Sequence, residues 1–262
     1  EGTTITATQD STANNNSIIA LGTLHKNVTT VDTSAMKAAQ SFSVASSTAG
    51  TTIKVAGGGV ATVTGSAKAD TITVGKTVGI KHLIGGGAGT DSLTMTVDTG
   101  FVDPSGLTAI ENITLDVVAG NVDINLAGNN FDAAATALTL TGGNTLSSFT
   151  TTTTPLLASV KTFDASAFGG DLALAIANDN FDDTVTITGG SSTKDSVTNT
   201  IETSTTDKPK TTGIETLKID VDDSNGYNPI VGVIDLSNTT GLTTVEASAG
   251  ADDTITIDKA GT

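Results

Sequence analysis

Short runs in which every second residue is apolar recur along the whole chain. Thr71-Ile72-Thr73-Val74, Thr94-Met95-Thr96-Val97, Thr184-Val185-Thr186-Ile187 and Thr254-Ile255-Thr256-Ile257 each alternate, and Leu138-Thr139-Leu140 does so more briefly. A period of two sends successive side chains to opposite faces of a strand. The polar partner is mostly Thr, whose β-branched side chain suits a pleated surface. Clusters of Gly, Asn and Asp separate the runs and read as turns. Helical spacing is confined to two short candidates, residues 34–40 and 132–137. The pattern predicts an all-β chain of short strands. With aromatic residues at 3%, its core is thin and filled by Val, Ile, Leu and Ala, which suits an elongated fold.

A second pattern is longer. An aliphatic residue, then Glu, Lys or Thr, then any residue, then an apolar one appears at Val28-Thr29-Thr30-Val31, Ile80-Lys81-His82-Leu83 and Ile110-Glu111-Asn112-Ile113. It returns at Val160-Lys161-Thr162-Phe163, Ile214-Glu215-Thr216-Leu217 and, more weakly, Val245-Glu246-Ala247-Ser248. The spacings run 52, 30, 50, 54 and 31 residues, which predicts a duplication with halves at 1–150 and 151–262. Repeats that cannot bury an apolar face alone stack on their neighbours and grow in one dimension. The expected architecture is a parallel β-solenoid, with two tandem β-sandwich domains as the alternative. The polar segment 198–212 reads as an inserted loop, and 150–155 as a connector.

Charge narrows the function. The chain holds 23 Asp, 5 Glu, 12 Lys, no Arg and no Cys, and its net charge is −16. That balance excludes a phosphate-binding surface, hence nucleic acid, and disfavours anionic membranes. No run of 18 apolar residues exists to span a bilayer. The absence of Cys removes disulfides, thiol nucleophiles and Cys-based zinc sites. Asp-rich, Gly-rich turns leave hard, oxygen-seeking cations such as Ca²⁺ as the metals to consider.

One segment fits that chemistry closely. Gly86-Gly87-Ala88-Gly89-Thr90-Asp91-Ser92-Leu93-Thr94 matches the nonapeptide G-G-x-G-x-D-x-U-x at every defined position, U being a large aliphatic residue. Gly87 and Gly89 allow a tight turn that presents carbonyl oxygens, Asp91 adds a carboxylate, and Leu93 returns the chain to the core. Gly65-Ser66-Ala67-Lys68-Ala69-Asp70-Thr71-Ile72 keeps the first Gly and Asp70, with Lys68 placing an ammonium where a metal would sit. Ser248-Ala249-Gly250-Ala251-Asp252-Asp253-Thr254-Ile255 keeps the acid through Asp252 and Asp253. The candidate metal residues are therefore Gly87, Gly89, Asp91, Asp70, Asp252 and Asp253. Asp195, Asp183 and Asp223 read as solvated turn carboxylates.

These residues, with the Ile110-Glu111-Asn112-Ile113 and Ile214-Glu215-Thr216-Leu217 units, resemble bacterial surface-layer proteins of the RTX type. The resemblance implies a parallel β-solenoid, Ca²⁺ in its turns, type I secretion and a self-assembled lattice outside the cell. Cell-surface polysaccharide or lipopolysaccharide is the anchoring partner it suggests. Type I cargo carries its export signal at the C-terminus, in keeping with an N-terminus, Glu1-Gly2-Thr3-Thr4, that lacks a basic region and an apolar segment. The chain reads as a fragment of a longer protein.

The expected function is structural, a self-assembling cell-surface layer protein. The alternative is a repeat segment of a secreted adhesin or biofilm matrix protein. An enzyme is not expected. His25 and His82 are far apart in sequence, His82 reads as solvent-facing, and no Gly-x-Ser-x-Gly elbow is present.

Overall fold

A computed structural model of the chain describes residues 2–8, 18–77, 82–98, 100–102, 106–118, 120–124, 134–144, 147–151, 159–177, 181–221, 229–250 and 252–258. Among the described residues the alternating runs form strands, numbered here in chain order, that pair in parallel in four sheets. Sheet A has eleven strands: β1 (Thr3–Thr6), β3 (Val28–Thr33), β5 (Thr52–Val55), β7 (Thr71–Thr77), β9 (Ser92–Val97), β12 (Asn112–Val117), β14 (Ala137–Gly142), β16 (Thr162–Phe168), β18 (Thr186–Thr188), β21 (Lys210–Thr212) and β24 (Thr239–Thr240). Sheet B has five: β2 (Ile18–Thr23), β4 (Ala39–Ser43), β6 (Ala61–Thr64), β8 (Leu83–Gly85) and β11 (Leu107–Thr108). Sheet C has seven: β10 (Gly100–Val102), β13 (Asn121–Ile124), β15 (Ser148–Thr150), β17 (Asp171–Ala177), β19 (Ser196–Ile201), β22 (Thr216–Val221) and β25 (Thr244–Ala249). Sheet D has three: β20 (Thr205–Asp207), β23 (Val231–Asp235) and β26 (Thr254–Asp258).

This is the parallel β-solenoid that the repeats predict, and parallel pairing rules out two antiparallel sandwiches. The first rungs alternate between sheets A and B. Sheet C opens with β10, β11 is the last strand of sheet B, and from β20 each rung visits C, D and A. Sheet A is continuous across residue 150, because Ala137 of β14 pairs with Thr162 of β16.

The core is a set of columns. Val31, Ile53, Ile72, Leu93, Ile113, Leu138, Phe163 and Ile187 stand in register on the inner face of sheet A, none more than 2% exposed. Phe149 and Phe163 pack with ring centroids 6.2 Å apart. Phe168 and Phe181 are also buried. Each rung leaves an apolar stripe that only its neighbours cover, so stability is shared along the axis.

Two local expectations fail. Residues 34–40 form a turn and then enter β4, because Met36, Ala38 and Gln40 are buried at a spacing of two, and Gln40 accepts a hydrogen bond from the Thr33 hydroxyl. Of the other helix candidate, residues 132–133 lie outside the described residues and Ala137 opens β14. Segment 198–212 is no inserted loop. It contains part of β19 and all of β20 and β21, with Asp207 and Thr211 turned inward. In the proposed connector, residues 152–155 lie outside the described residues, as do Ile80, Lys81 and Asp223.

One core position breaks the chemistry of its column. Asn199 is fully buried between Ile176 and Ile219 in sheet C, and neither its Oδ1 nor its Nδ2 has a hydrogen-bond partner. A buried polar group without a partner costs about 1–3 kcal/mol. Asn199→Leu is therefore expected to stabilise the fold by about that much, read as a higher urea midpoint at unchanged slope. A variant no more stable than the wild type would mean that the amide is satisfied.

Candidate functional site

Of the six predicted metal residues, Asp252 and Asp253 precede a strand of sheet D, while the other four, Asp70, Gly87, Gly89 and Asp91, stand at one corner of the solenoid, where each rung turns into sheet A. There the chain has not yet joined the ladder, so its N–H groups need other acceptors. Acids supply them. Asp70 Oδ1 accepts from Thr51 N of the rung before at 2.6 Å, Asp91 Oδ1 accepts from Asp70 N at 2.7 Å, and Glu111 Oε2 accepts from Asp91 N at 2.7 Å. Each carboxylate thus latches the corner of the preceding rung. The structure brings Asp70 and Asp91 together and adds Glu111, which belongs to the Ile110-Glu111-Asn112-Ile113 repeat.

The same device recurs at other corners. Asp195 Oδ1 accepts from Leu172 N at 2.9 Å, and Glu215 Oε2 accepts from Asp195 N at 3.0 Å. Asp253 Oδ1 accepts from Ile230 N at 2.9 Å. Asp195 is fully buried, so it is not a solvated turn carboxylate; Asp183 is exposed, as expected. Asp252 is exposed beside Asp253. Asp195 precedes a strand of sheet C and Asp253 one of sheet D, far along the axis from Asp91.

The glycines explain the nonapeptide. Gly87 and Gly89 have φ of +104° and +121°, values L side chains rarely adopt. Their turn stacks directly on the one below: a Cβ on Gly87 would overlap the Ser66 carbonyl, and one on Gly89 would come within 2.7 Å of Ala69 N. Both residues are thus needed for backbone conformation and close stacking. Lys68 is exposed, and Ser66 fills the corner in its stead. The Ser66 N–H donates to Asp70 Oδ2 at 2.6 Å and its hydroxyl to Asp70 Oδ1 at 2.9 Å.

That contrast sets Asp91 apart. Gly87 occupies the place Ser66 holds one rung earlier and brings no hydroxyl. Asp91 is fully buried, and its Oδ2 has no hydrogen-bond partner. Burial pushes its carboxyl above the usual range against the pull of the Asp70 N–H, and the charges of Asp70 and Glu111 push the same way. Asp253 Oδ2 is likewise buried without a partner. Asp195 differs, because the Gly190 N–H donates to its Oδ2 at 2.6 Å. Its carboxyl is also raised, by burial first, opposed by the Leu172 and Gly190 N–H groups, with Glu215 and Asp171 adding repulsion.

Among the described residues no three His, Cys, Asp or Glu side chains converge as a ready metal cluster. A cation at this corner would rest on one carboxylate oxygen and on carbonyls of the stacked turns. His82 is the other departure. It is 1% exposed, and its Nδ1 accepts the Ala61 N–H at 3.2 Å, so it does not face solvent. His25 is exposed.

No protein-family model matches the chain, and neither a curated protein nor a solved structure matches it.

Proposed function

We propose that this chain is a structural segment of a self-assembling cell-surface layer, stabilised by Ca²⁺ at the solenoid corners. The observation that carries the reading is Asp91 Oδ2, a buried carboxylate oxygen with no partner. It lies in a turn built from Gly87 and Gly89 and in a column with two further acids, Asp70 and Glu111. Hard cations bind such oxygens together with turn carbonyls, and extracellular modules of this kind work at 10⁻⁴–10⁻³ M Ca²⁺. A cation there would satisfy the orphaned oxygen and relieve the repulsion along the column. The second such oxygen, on Asp253, gives the last rungs the same opportunity. A net charge of −16 adds a general demand for counter-ions in a compact state. The uniform, one-dimensional fold suits a structural role.

The test is equilibrium unfolding and light scattering, in millimolar Ca²⁺ and in excess chelator. Ca²⁺ at about 100 times its Kd would stabilise the chain by about 2.7 kcal/mol. Asn keeps the acceptor for the Asp70 N–H and removes the charge. Asp91→Asn is therefore expected to match or exceed the wild type in chelator and to lose most of the stabilisation in Ca²⁺. Assemblies should grow in Ca²⁺ and dissolve on chelation. An equal Ca²⁺ response in both proteins would remove Asp91 from the site. No response in either would remove calcium from the reading.

A further inference from the structure

We infer that the outer face of sheet A is the surface through which two copies of this chain pair, face to face and antiparallel, with Lys54 of each copy opposite Asp164 of the other. The inference rests on the self-assembly reading above and names the face that performs it.

The register lines up the outward residues of sheet A in columns. Thr73, Thr94, Thr114 and Thr139 form an unbroken column over β7, β9, β12 and β14. The column beside it, from Thr71 to Ala137, carries no charge. Followed to both ends of the sheet, these two columns hold only Asp32, Lys54, Asp164 and Lys210, whose charges cancel. The whole chain carries −16. Two copies so charged repel each other over most approaches, and a neutral face lifts that penalty.

The charges are also placed to match themselves. A two-fold axis in the interface, running along the strands between β9 and β12, reverses the rung order and keeps the columns. It sets β9 against β12, β7 against β14, and β5 against β16. Thr94 then meets Thr114 and Thr73 meets Thr139. Lys54 of β5 meets Asp164 of β16, and symmetry makes that contact twice. In the next column Asp116 of β12 meets Thr96 of β9, a carboxylate against a hydroxyl. Thr suits such a face because its hydroxyl both donates and accepts, and its branched side chain has little rotamer freedom to lose.

The area is sufficient. Ten rungs at about 4.8 Å and the two charge-balanced columns, each about 6.8 Å wide, give a face of about 650 Å² per copy. Stable interfaces bury about 600–1,000 Å² per partner.

The test is sedimentation velocity of the full chain in millimolar Ca²⁺, comparing the wild type with Lys54→Asp, Lys54→Asp/Asp164→Lys and Lys218→Asp. Lys218 stands on the outer face of sheet C, so its variant makes the same change in net charge elsewhere. Lys54 stands opposite Asp32 and Lys218 pairs with Glu246 at 3.8 Å, both at exposed positions, so their variants should show similar, small drops in unfolding midpoint. Lys54→Asp is expected to weaken self-association at least tenfold, the double variant to restore it, and Lys218→Asp to leave it unchanged. If the wild type assembles and Lys54→Asp assembles equally well, this face is wrong and the self-assembly reading stands. If Lys218→Asp weakens association as much as Lys54→Asp, total charge and not the face is at work, and the inference is overturned. A wild type that stays monomeric overturns the inference and the self-assembly reading together.

Discussion

Gly87→Val is expected to destabilise the protein by about 2–5 kcal/mol, the sum of a backbone and a packing penalty. The residue sits at φ +104°, outside the regions open to a β-branched residue. Holding a side chain in left-handed backbone costs about 1–2 kcal/mol by itself. The added atoms also have nowhere to go, because a Cβ there overlaps the carbonyl of Ser66. That carbonyl cannot swing aside freely, since it accepts the Ala88 N–H at 3.1 Å. Forcing atoms into a packed site costs a further 1–3 kcal/mol or more. The damage spreads, because in a solenoid each rung is stabilised by contact with its neighbours. Gly58→Ala is the control: φ there is not in the left-handed range, and the nearest atom to an added Cβ is 3.9 Å away. It should stay within about 0.5 kcal/mol of the wild type. The measurement is urea unfolding of the three proteins in chelator, which separates this effect from any role in cation binding. A Gly87→Val protein within about 1 kcal/mol of the wild type would show that the turns do not stack as closely as described.

Much of this corner was legible beforehand. The nonapeptide singled out Gly87, Gly89 and Asp91 because both the glycine conformations and the acid are local requirements, written in nine consecutive residues. The latches were harder to see, since each links residues one rung apart. A signal for them exists. Asp70, Asp91 and Glu111 follow one another at 21 and 20 residues, and Asp195 and Glu215 at 20. An acid recurring at the rung spacing, just before a run of alternating residues, marks a latch. Taken singly, Asp195 after Ser-Ser-Thr-Lys looks like any turn carboxylate. The orphaned oxygens could not be foreseen, because whether Ser66 or a backbone N–H reaches a carboxylate depends on how the turns stack.

The fold shows the same division. Alternation gave the strands and the all-β class directly, but it reads alike in a sandwich and a solenoid. The repeated units, 30 to 54 residues apart, favoured stacking but left the sandwich open, and the parallel register of the strands decides for the solenoid. Residues 34–40 misled because Ala35, Ala38 and Ala39 sit at a helical spacing while Met36, Ala38 and Gln40 sit at a strand's. Segment 198–212 misled because a strand with Thr on both faces has no apolar stripe, and Thr211 and Asp207 point inward all the same. Phase was the remaining trap. Leu83 is 44% exposed and Ile84 is buried, so β8 runs one residue out of the phase its repeat implies, and His82 goes inside.

That inversion makes His82 the source of a large pH dependence. With burial as the cause, its pKa falls from 6.5 to about 4. The native state thus binds a proton less readily than the unfolded chain between those values. The sign follows: stability is whole above about pH 6.5, falls as the pH drops toward 4, and levels off below it. The shift corresponds to about 3 kcal/mol at its full extent. The structural reason is that His82 Nδ1 accepts the Ala61 N–H, and a protonated imidazole cannot accept. Asp91 and Asp195 act in the opposite sense. Their raised carboxyls hold protons more tightly when folded, so acidification stabilises the fold through them. The raw pH profile mixes these effects, and a difference measurement separates them. His82→Asn places an amide oxygen near the position of Nδ1 and does not titrate. Between pH 7 and pH 4 the wild type is expected to lose about 3 kcal/mol relative to His82→Asn, measured by urea unfolding in chelator at several pH values. Parallel pH profiles for the two proteins would mean that the imidazole is already solvated in the native state. The loss on acidification would then have to come from carboxylates with lowered pKa, such as Asp32 and Asp182, whose hydrogen bonds to Ser34 and Thr184 favour the charged form.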